Sequence, residues 1–205
     1  MRDKTLLNGD GLMSCSWPGT HDDYRSYHDT EWGYPVIDDF ALFEKLCLES
    51  FQAGLSWLTI LRKRNAFRTA FENFDPNVVS RFDSIKIEAL LKNKKIIRNK
   101  AKILSVINNA ARALEVISEQ GSLASYLWSF EPTSSYREPG GLIPASTPES
   151  VALAKNLKKR GWKFLGPTTV YSFMQAVGMV NDHIPECWVH PLIDTARERL
   201  SRPIQ

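Results

Sequence analysis

The stretch AKILSVINNAARALEVI, residues 101–117, decides the fold class. In it Ile103, Val106, Ile107, Ala110, Leu114 and Ile117 recur at spacings of three and four, which draws one apolar stripe along a helix of 3.6 residues per turn. The same period organises residues 40–51, where Phe40, Phe43, Leu46, Cys47 and Phe51 share a stripe. Shorter helices are expected over residues 58–71, 78–82, 87–91 and 123–130. Thr147 followed by Pro148, with Ser150 where a capping box usually has Glu, opens a helix expected to reach about residue 160. Another is expected from residue 167 to 177, stopped by Gly178. No segment alternates apolar and polar residues between hairpin turns, so a sheet of any size is not expected and the class is all-α. Residues 131–145, with three prolines and two glycines, form the expected hinge or loop. Residues 1–14 carry no pattern, and the tail after about Pro191 is weakly specified.

With 205 residues, 43% hydrophobic and 24% charged, the chain has the composition of one globular domain, and a disordered or fibrous class is excluded. Three cysteines cannot all pair within a chain, and the N-terminus has no charged region leading into an apolar one, so a reducing, cytoplasmic setting is expected. No apolar run is long enough for a membrane span. The net charge of +3 is too mild to announce a polyanionic partner, but its distribution is uneven. Fifteen of the 26 basic residues fall in three runs, 62–68, 92–102 and 155–163, and no acidic residue interrupts any of them. Two of these runs on one face would track phosphates, whereas three separate runs would be solvated helix faces.

Candidate chemistry lies at the two ends of the chain. Twelve residues lie between Cys15 and His28, and His183 and Cys187 are spaced so that one helical turn would point both the same way. Two thiolates and two imidazoles make a closed tetrahedral set suited to structural zinc; equally, the cysteines could be small buried apolar residues. Trp17, Tyr24, Tyr27, Trp32, Tyr34 and Trp57 crowd one segment, either as core or as a slot that grips an unstacked base. Glu49 sits at the border of the stripe over residues 40–51, beside Leu42 and Leu46, where a carboxylate either reaches water or faces a pocket. The third basic run leads through Lys158, Arg160 and Lys163 into a glycine-bearing turn at Gly161 and Gly166, whose free N–H groups suit phosphate.

Together the strings CSW (15–17), YHDTEWG (27–33), CLESFQAGLSW (47–57), FDP (74–76), IIRNKAKI (96–103), WSF (128–130), LKKRGWKFLG (157–166), YSFMQA (171–176) and VNDH (180–183) resemble the 3-methyladenine DNA glycosylase I family. The resemblance covers residues 13–188 in order, leaving 1–12 and 189–205 as terminal extensions of one domain of one or two helical subdomains. It implies a compact helix-hairpin-helix glycosylase fold with one structural Zn2+ on Cys15, His28, His183 and Cys187, joining the N- and C-terminal segments. It further implies Glu49 and Tyr27 as the residues acting on the base, Trp57 as the stacking face, and Trp17 and Trp32 as pocket lining. Lys158, Arg160, Lys163 and Gly166 are the expected DNA contacts, although Phe164 stands where the usual Gly-x-Gly hairpin has its first glycine. The implied activity is hydrolytic removal of flipped 3-methyladenine, with 3-methylguanine as a second candidate, from alkylated double-stranded DNA by a monomer, with water as nucleophile. Glycosylases with lyase activity place a lysine just after the hairpin glycine; Gly166-Pro167-Thr168 has none, which implies a monofunctional enzyme.

Overall fold

A computed structural model describes residues 5–8, 11–133 and 143–203. Among these, strands β1 (Thr5–Leu7) and β2 (Met13–Cys15) form an antiparallel hairpin. The helices that follow are α1 (Asp22–Thr30), α2 (Asp39–Gln52), α3 (Trp57–Ala70), α4 (Pro76–Val79), α5 (Ser84–Lys92), α6 (Lys100–Gln120), α7 (Leu123–Trp128), α8 (Pro148–Lys159), α9 (Pro167–Ala176) and α10 (His190–Arg199). The expected helices form, except that the one expected over 78–82 is a single turn at Pro76–Val79 started by Asp75 and Pro76, and side-chain oxygens of Asp38, Ser56, Asp83, Asn99 and Ser122 accept from the first turns of α2, α3, α5, α6 and α7. At α8 the Thr147 N–H donates to Ser150 Oγ at 2.9 Å while the Ser150 N–H donates to Thr147 Oγ1 at 3.3 Å, so serine completes a capping box where glutamate is usual.

Helix α2 lies at the centre, packed against α3, α6, α7 and α9, and residues 42, 43 and 46–51 are all buried. Phe51 near its end packs on Phe67 of α3 at 4.5 Å between ring centroids, which locks the two helices on either side of the turn between them. Helix α6 is present but rotated from the expected stripe. Lys102, Ser105 and Asn109 are buried while Ile107, Leu114 and Ile117 are half-buried. Backbone partners make this possible: the Lys102 ammonium donates to the carbonyls of Phe51 and Ala53 at 2.8 and 2.6 Å, and Asn109 bonds both ways with the backbone of Lys163.

Four features depart from the sequence reading. The patternless N-terminus contains the β1–β2 hairpin, small but real, and β2 is continued by the Trp188 N–H donating to the Met13 carbonyl at 2.9 Å. Helix α1 forms where no apolar period announces one. Helix α10 forms in the tail left as weakly specified, held by buried Ile193 and by Arg197, which donates to the Gly178 carbonyl and to Glu131. His183 and Cys187 lie in a chain of turns, not on a helix. The expected loop over 131–145 falls largely outside the described residues. At the end of α9, Gly178 has φ +74°, and a Cβ there would lie 2.4 Å from the Gly33 carbonyl oxygen. Only glycine allows this crossing of α9's end over residues 33–35, next to the site described below.

Candidate active site

The segment after β2, helix α1, the end of α2, the start of α3 and helix α9 converge on a cavity of about 560 Å³. Its walls are aromatic. Trp17 stands edge-on to Tyr24, Tyr27 and Trp32 at 4.9, 6.5 and 5.1 Å between centroids, and Tyr27 lies tilted against Trp57 at 5.4 Å. Trp57 reaches this position as the first residue of α3, fixed by the Ser56 cap. The indole N–H groups of Trp17 and Trp57 are buried without a hydrogen-bond partner among the described residues.

Glu49 supplies the charge-bearing group. It lines the cavity, is 5% exposed, and accepts no hydrogen bond among the described residues. Burial pushes its carboxyl up to about 8 against a downward pull from Lys45. That lysine is spent on Glu31 at 3.0 Å, which Arg64 also binds. Burial and the nearby Glu49 also raise the Tyr24 phenol to about 12 and the Tyr27 phenol well above its ordinary value, so both are hydroxyl donors. Such a slot can grip a flat, cationic, donor-bearing ligand, which would satisfy the carboxylate and stack on the rings.

Tyr27 faces the cavity, and the next residue on α1, His28, faces a second cluster. The ligand atoms of Cys15, His28 and Cys187 lie within 4.8 Å of one another, all buried, a group able to hold a metal ion. The ring of His183 is 4.8 Å from that of His28, and its Nε2 is buried with no partner among the described residues. Each imidazole uses Nδ1 on an oxygen, His28 on Asp29 at 2.7 Å and His183 on Asn181 at 3.1 Å, an outer-partner pattern common at metal-bound histidines. Burial, then the neighbouring His28, holds His183 down to about 3, in its neutral form, and contact with Cys15 holds the Cys187 thiol down to about 3, toward thiolate; His28 is raised, its contacts with Cys187 and Asp29 outweighing burial.

The model of the methyladenine glycosylase family matches residues 17–190. The chain belongs to the methyladenine glycosylase family. It is similar to DNA-3-methyladenine glycosylase 1 of Escherichia coli (strain K12), 43% identical over 183 residues that cover 88% of this chain and 98% of that one. A crystal structure of 3-methyladenine DNA glycosylase I superposes with a TM-score of 0.83 at 47% identity, covering 87% of this chain and all of the other. The Staphylococcus aureus 3-methyladenine DNA glycosylase I, solved to show how it recognises 3-methyladenine, superposes at 0.81 with 35% identity over 87% and 96% of the two chains.

In this methyladenine glycosylase the structure brings Trp17, Tyr27, Trp32, Glu49 and Trp57 to one cavity, and Cys15, His28, His183 and Cys187 to one cluster behind it. Lys158, Lys163 and Gly166 are exposed at the turn between α8 and α9. Arg160 is occupied there, bound to Glu119 at 2.7 Å and lying over the Tyr126 ring. Phe164 adopts φ +58°, the conformation its usual glycine would take without strain. Of the three basic runs, the first is largely paired off on Asp23, Glu31 and Glu44, while Ala101 and Leu104, within or next to the second, share a groove with Lys163 of the third. A smaller cavity of about 170 Å³ joins Glu49 and Leu55 to Thr168 and Thr169, so the N-terminus of α9 adjoins the aromatic slot. The sequence reading missed Ser172 and Gln175, which also line the slot. Their signal was present: polar residues three apart on the otherwise apolar YSFMQA string.

Proposed function

We propose that this chain excises 3-methyladenine from alkylated double-stranded DNA by hydrolysing the N-glycosidic bond. The observation that carries the proposal is a buried, unpartnered carboxylate, Glu49, inside an aromatic cavity of a chain in the methyladenine glycosylase family. An adenine methylated at N3 is cationic, so its glycosidic bond is already weakened and selection is the larger task. Flipped from the duplex, the base stacks on Trp57, donates its amino group to Glu49 and meets the Tyr27 hydroxyl, while Trp17 and Trp32 exclude bulk water. Water attacks the sugar C1′ as the N-glycosidic bond breaks; the bond pair neutralises the departing base, and the attacking water loses one proton to solvent. No lysine follows the hairpin glycine, and Asp182 is turned onto Tyr171 and Gln175, so nothing there suits a Schiff base; the enzyme is read as monofunctional.

Helices α8 and α9 with their turn act as the helix-hairpin-helix element that holds phosphates, with Lys158, Lys163 and the open N–H groups after Gly166 as donors. Cys15, His28, His183 and Cys187 hold one structural zinc per chain, a reading supported by the three clustered donors of Cys15, His28 and Cys187 and by the His183 ring 4.8 Å from that of His28, its Nε2 buried without a partner among the described residues. Bound by four protein ligands, such an ion supplies a cross-link. Three buried cysteines outside any disulfide fit a reducing, cytoplasmic setting, and among the described residues no helix is long and apolar enough to cross a membrane. The test is incubation with methylated duplex and chromatography of the released bases. Free 3-methyladenine and an unbroken abasic strand are expected; intact methylated DNA after prolonged incubation with enzyme in excess overturns the proposal.

A further inference from the structure

We infer that Gln175 determines specificity between 6-amino and 6-oxo purines by offering its side-chain carbonyl oxygen to the cavity, and that Asp182 is the positioning residue that fixes this polarity. The inference rests on the proposed reading of the cavity as the base site. Asp182 is 2% exposed, and its Oδ2 accepts from the Tyr171 hydroxyl at 2.8 Å and from Gln175 Nε2 at 2.7 Å. A carboxylate accepts and does not donate, so it must take the amino half of the neighbouring amide. The carbonyl half is thereby left for other use. It accepts no hydrogen bond among the described residues, yet it is not among the buried unpartnered atoms, and Gln175 lines the aromatic cavity.

The consequence is an acceptor added to that of Glu49. The 6-amino group of adenine donates, while guanine carries an acceptor oxygen at the same position. An acceptor fixed by a buried carboxylate therefore rewards the first base and leaves two oxygens opposed with the second. The aspartate that precedes the metal-cluster histidine thus acts on selectivity at one remove from the base.

The experiment is single-turnover release of 3-methyladenine and 3-methylguanine from one alkylated duplex by the wild type, Gln175→Met, Asp182→Asn and Glu49→Gln. Gln175→Met keeps the side-chain length and removes the acceptor; the ratio of 3-methyladenine to 3-methylguanine release should fall about tenfold, the worth of one hydrogen bond from a charged donor. Asp182→Asn can still accept from Tyr171 but can also donate to Gln175, allowing the amide to turn over, so the ratio should fall at least as far. Affinity for unmodified duplex should be unchanged in Gln175→Met, while its thermal midpoint should fall by a few degrees because buried Asp182 loses one donor. An unchanged ratio in Gln175→Met overturns the inference even if Asp182→Asn does not fold. Equal slowing for both bases in a folded Asp182→Asn makes Asp182 merely structural and removes its positioning role. The Glu49→Gln arm separates the two readings: if it too releases base like the wild type, the base-site reading fails, whereas a slow Glu49→Gln beside a normal Gln175→Met sinks this inference alone.

Discussion

A carboxylate buried in an aromatic slot without a hydrogen-bond partner is unfavourable to the empty protein, and Glu49 makes both a functional and a stability prediction at the level of one residue. Glu49→Gln removes a charge-assisted interaction worth a few kcal/mol in such a site, so single-turnover excision should slow about a hundredfold while duplex binding persists. A change below about twofold would mean that the carboxylate does not face the base. The pH dependence has a defined sign. Because the folded carboxyl titrates at about 8 rather than near 4.5, its protonated form is favoured in the fold; Glu49 withdraws stability as pH rises from about 4.5 to about 8 and leaves it constant above. Glu49→Gln should therefore melt higher than wild type at pH 8.5, with the gap closing toward pH 5, in paired thermal scans. A cationic base prefers the carboxylate, so kcat/KM should fall as pH drops below about 8 in the wild type, and that limb should vanish in the glutamine variant. For Glu49 the stripe leaves open whether the side chain reaches water or faces a pocket, and only the resemblance implies a role; the helix proves buried over residues 46–51, Glu49 included, while Phe40 of the stripe is exposed. Gln175 was not legible, because its role depends on which half of its amide Asp182 takes, and no spacing rule encodes that.

At the level of elements, strongly periodic helices were legible and weakly periodic ones were not. Helix α1 buries Tyr27 and His28 and is otherwise polar, so its folding depends on the cavity and the cysteine cluster that receive those two side chains. Helix α10 likewise buries Ile193 alone and is held by arginines reaching Gly178 and Glu131. The hairpin between α8 and α9 was legible from its glycines and lysines, but not that Arg160 would be turned to Glu119. The free lysines carry the prediction instead: Lys158→Ala with Lys163→Ala should weaken binding to methylated and plain duplex alike and lower the salt slope by about two, one for each ammonium removed from a phosphate. An unchanged slope in a salt titration would place the phosphate surface elsewhere. Gly178→Ala tests the crossing at the end of α9. With φ +74° and the Gly33 carbonyl in the way, it should destabilise by about 2 kcal/mol or more, read from denaturant midpoints.

Across the whole molecule, the two ends of the chain meet at Cys15, His28, His183 and Cys187, and the slot lies directly against that junction: Trp17 and Trp32 touch His28 and His183 with their ring edges. The proposed zinc predicts that Cys187→Ala lowers the thermal midpoint by roughly ten degrees, the cost of losing one ligand of such a site, and that zinc content measured on purified protein falls from one per chain to near zero. A zinc-free wild type with an unchanged melting curve would dismiss the metal. The closing of the chain on itself was implied by resemblance and could not be derived from spacing, because ligands 155 positions apart obey no local periodicity. The unpartnered carboxylate also bears on how this protein can be improved in the laboratory. A screen that rewards heat tolerance alone will collect apolar replacements at position 49, since they fill the slot without a buried charge, and its winners will be robust proteins that have stopped repairing DNA. Variants must be ranked by base release after heating, or the selection will remove the group on which the proposed chemistry depends.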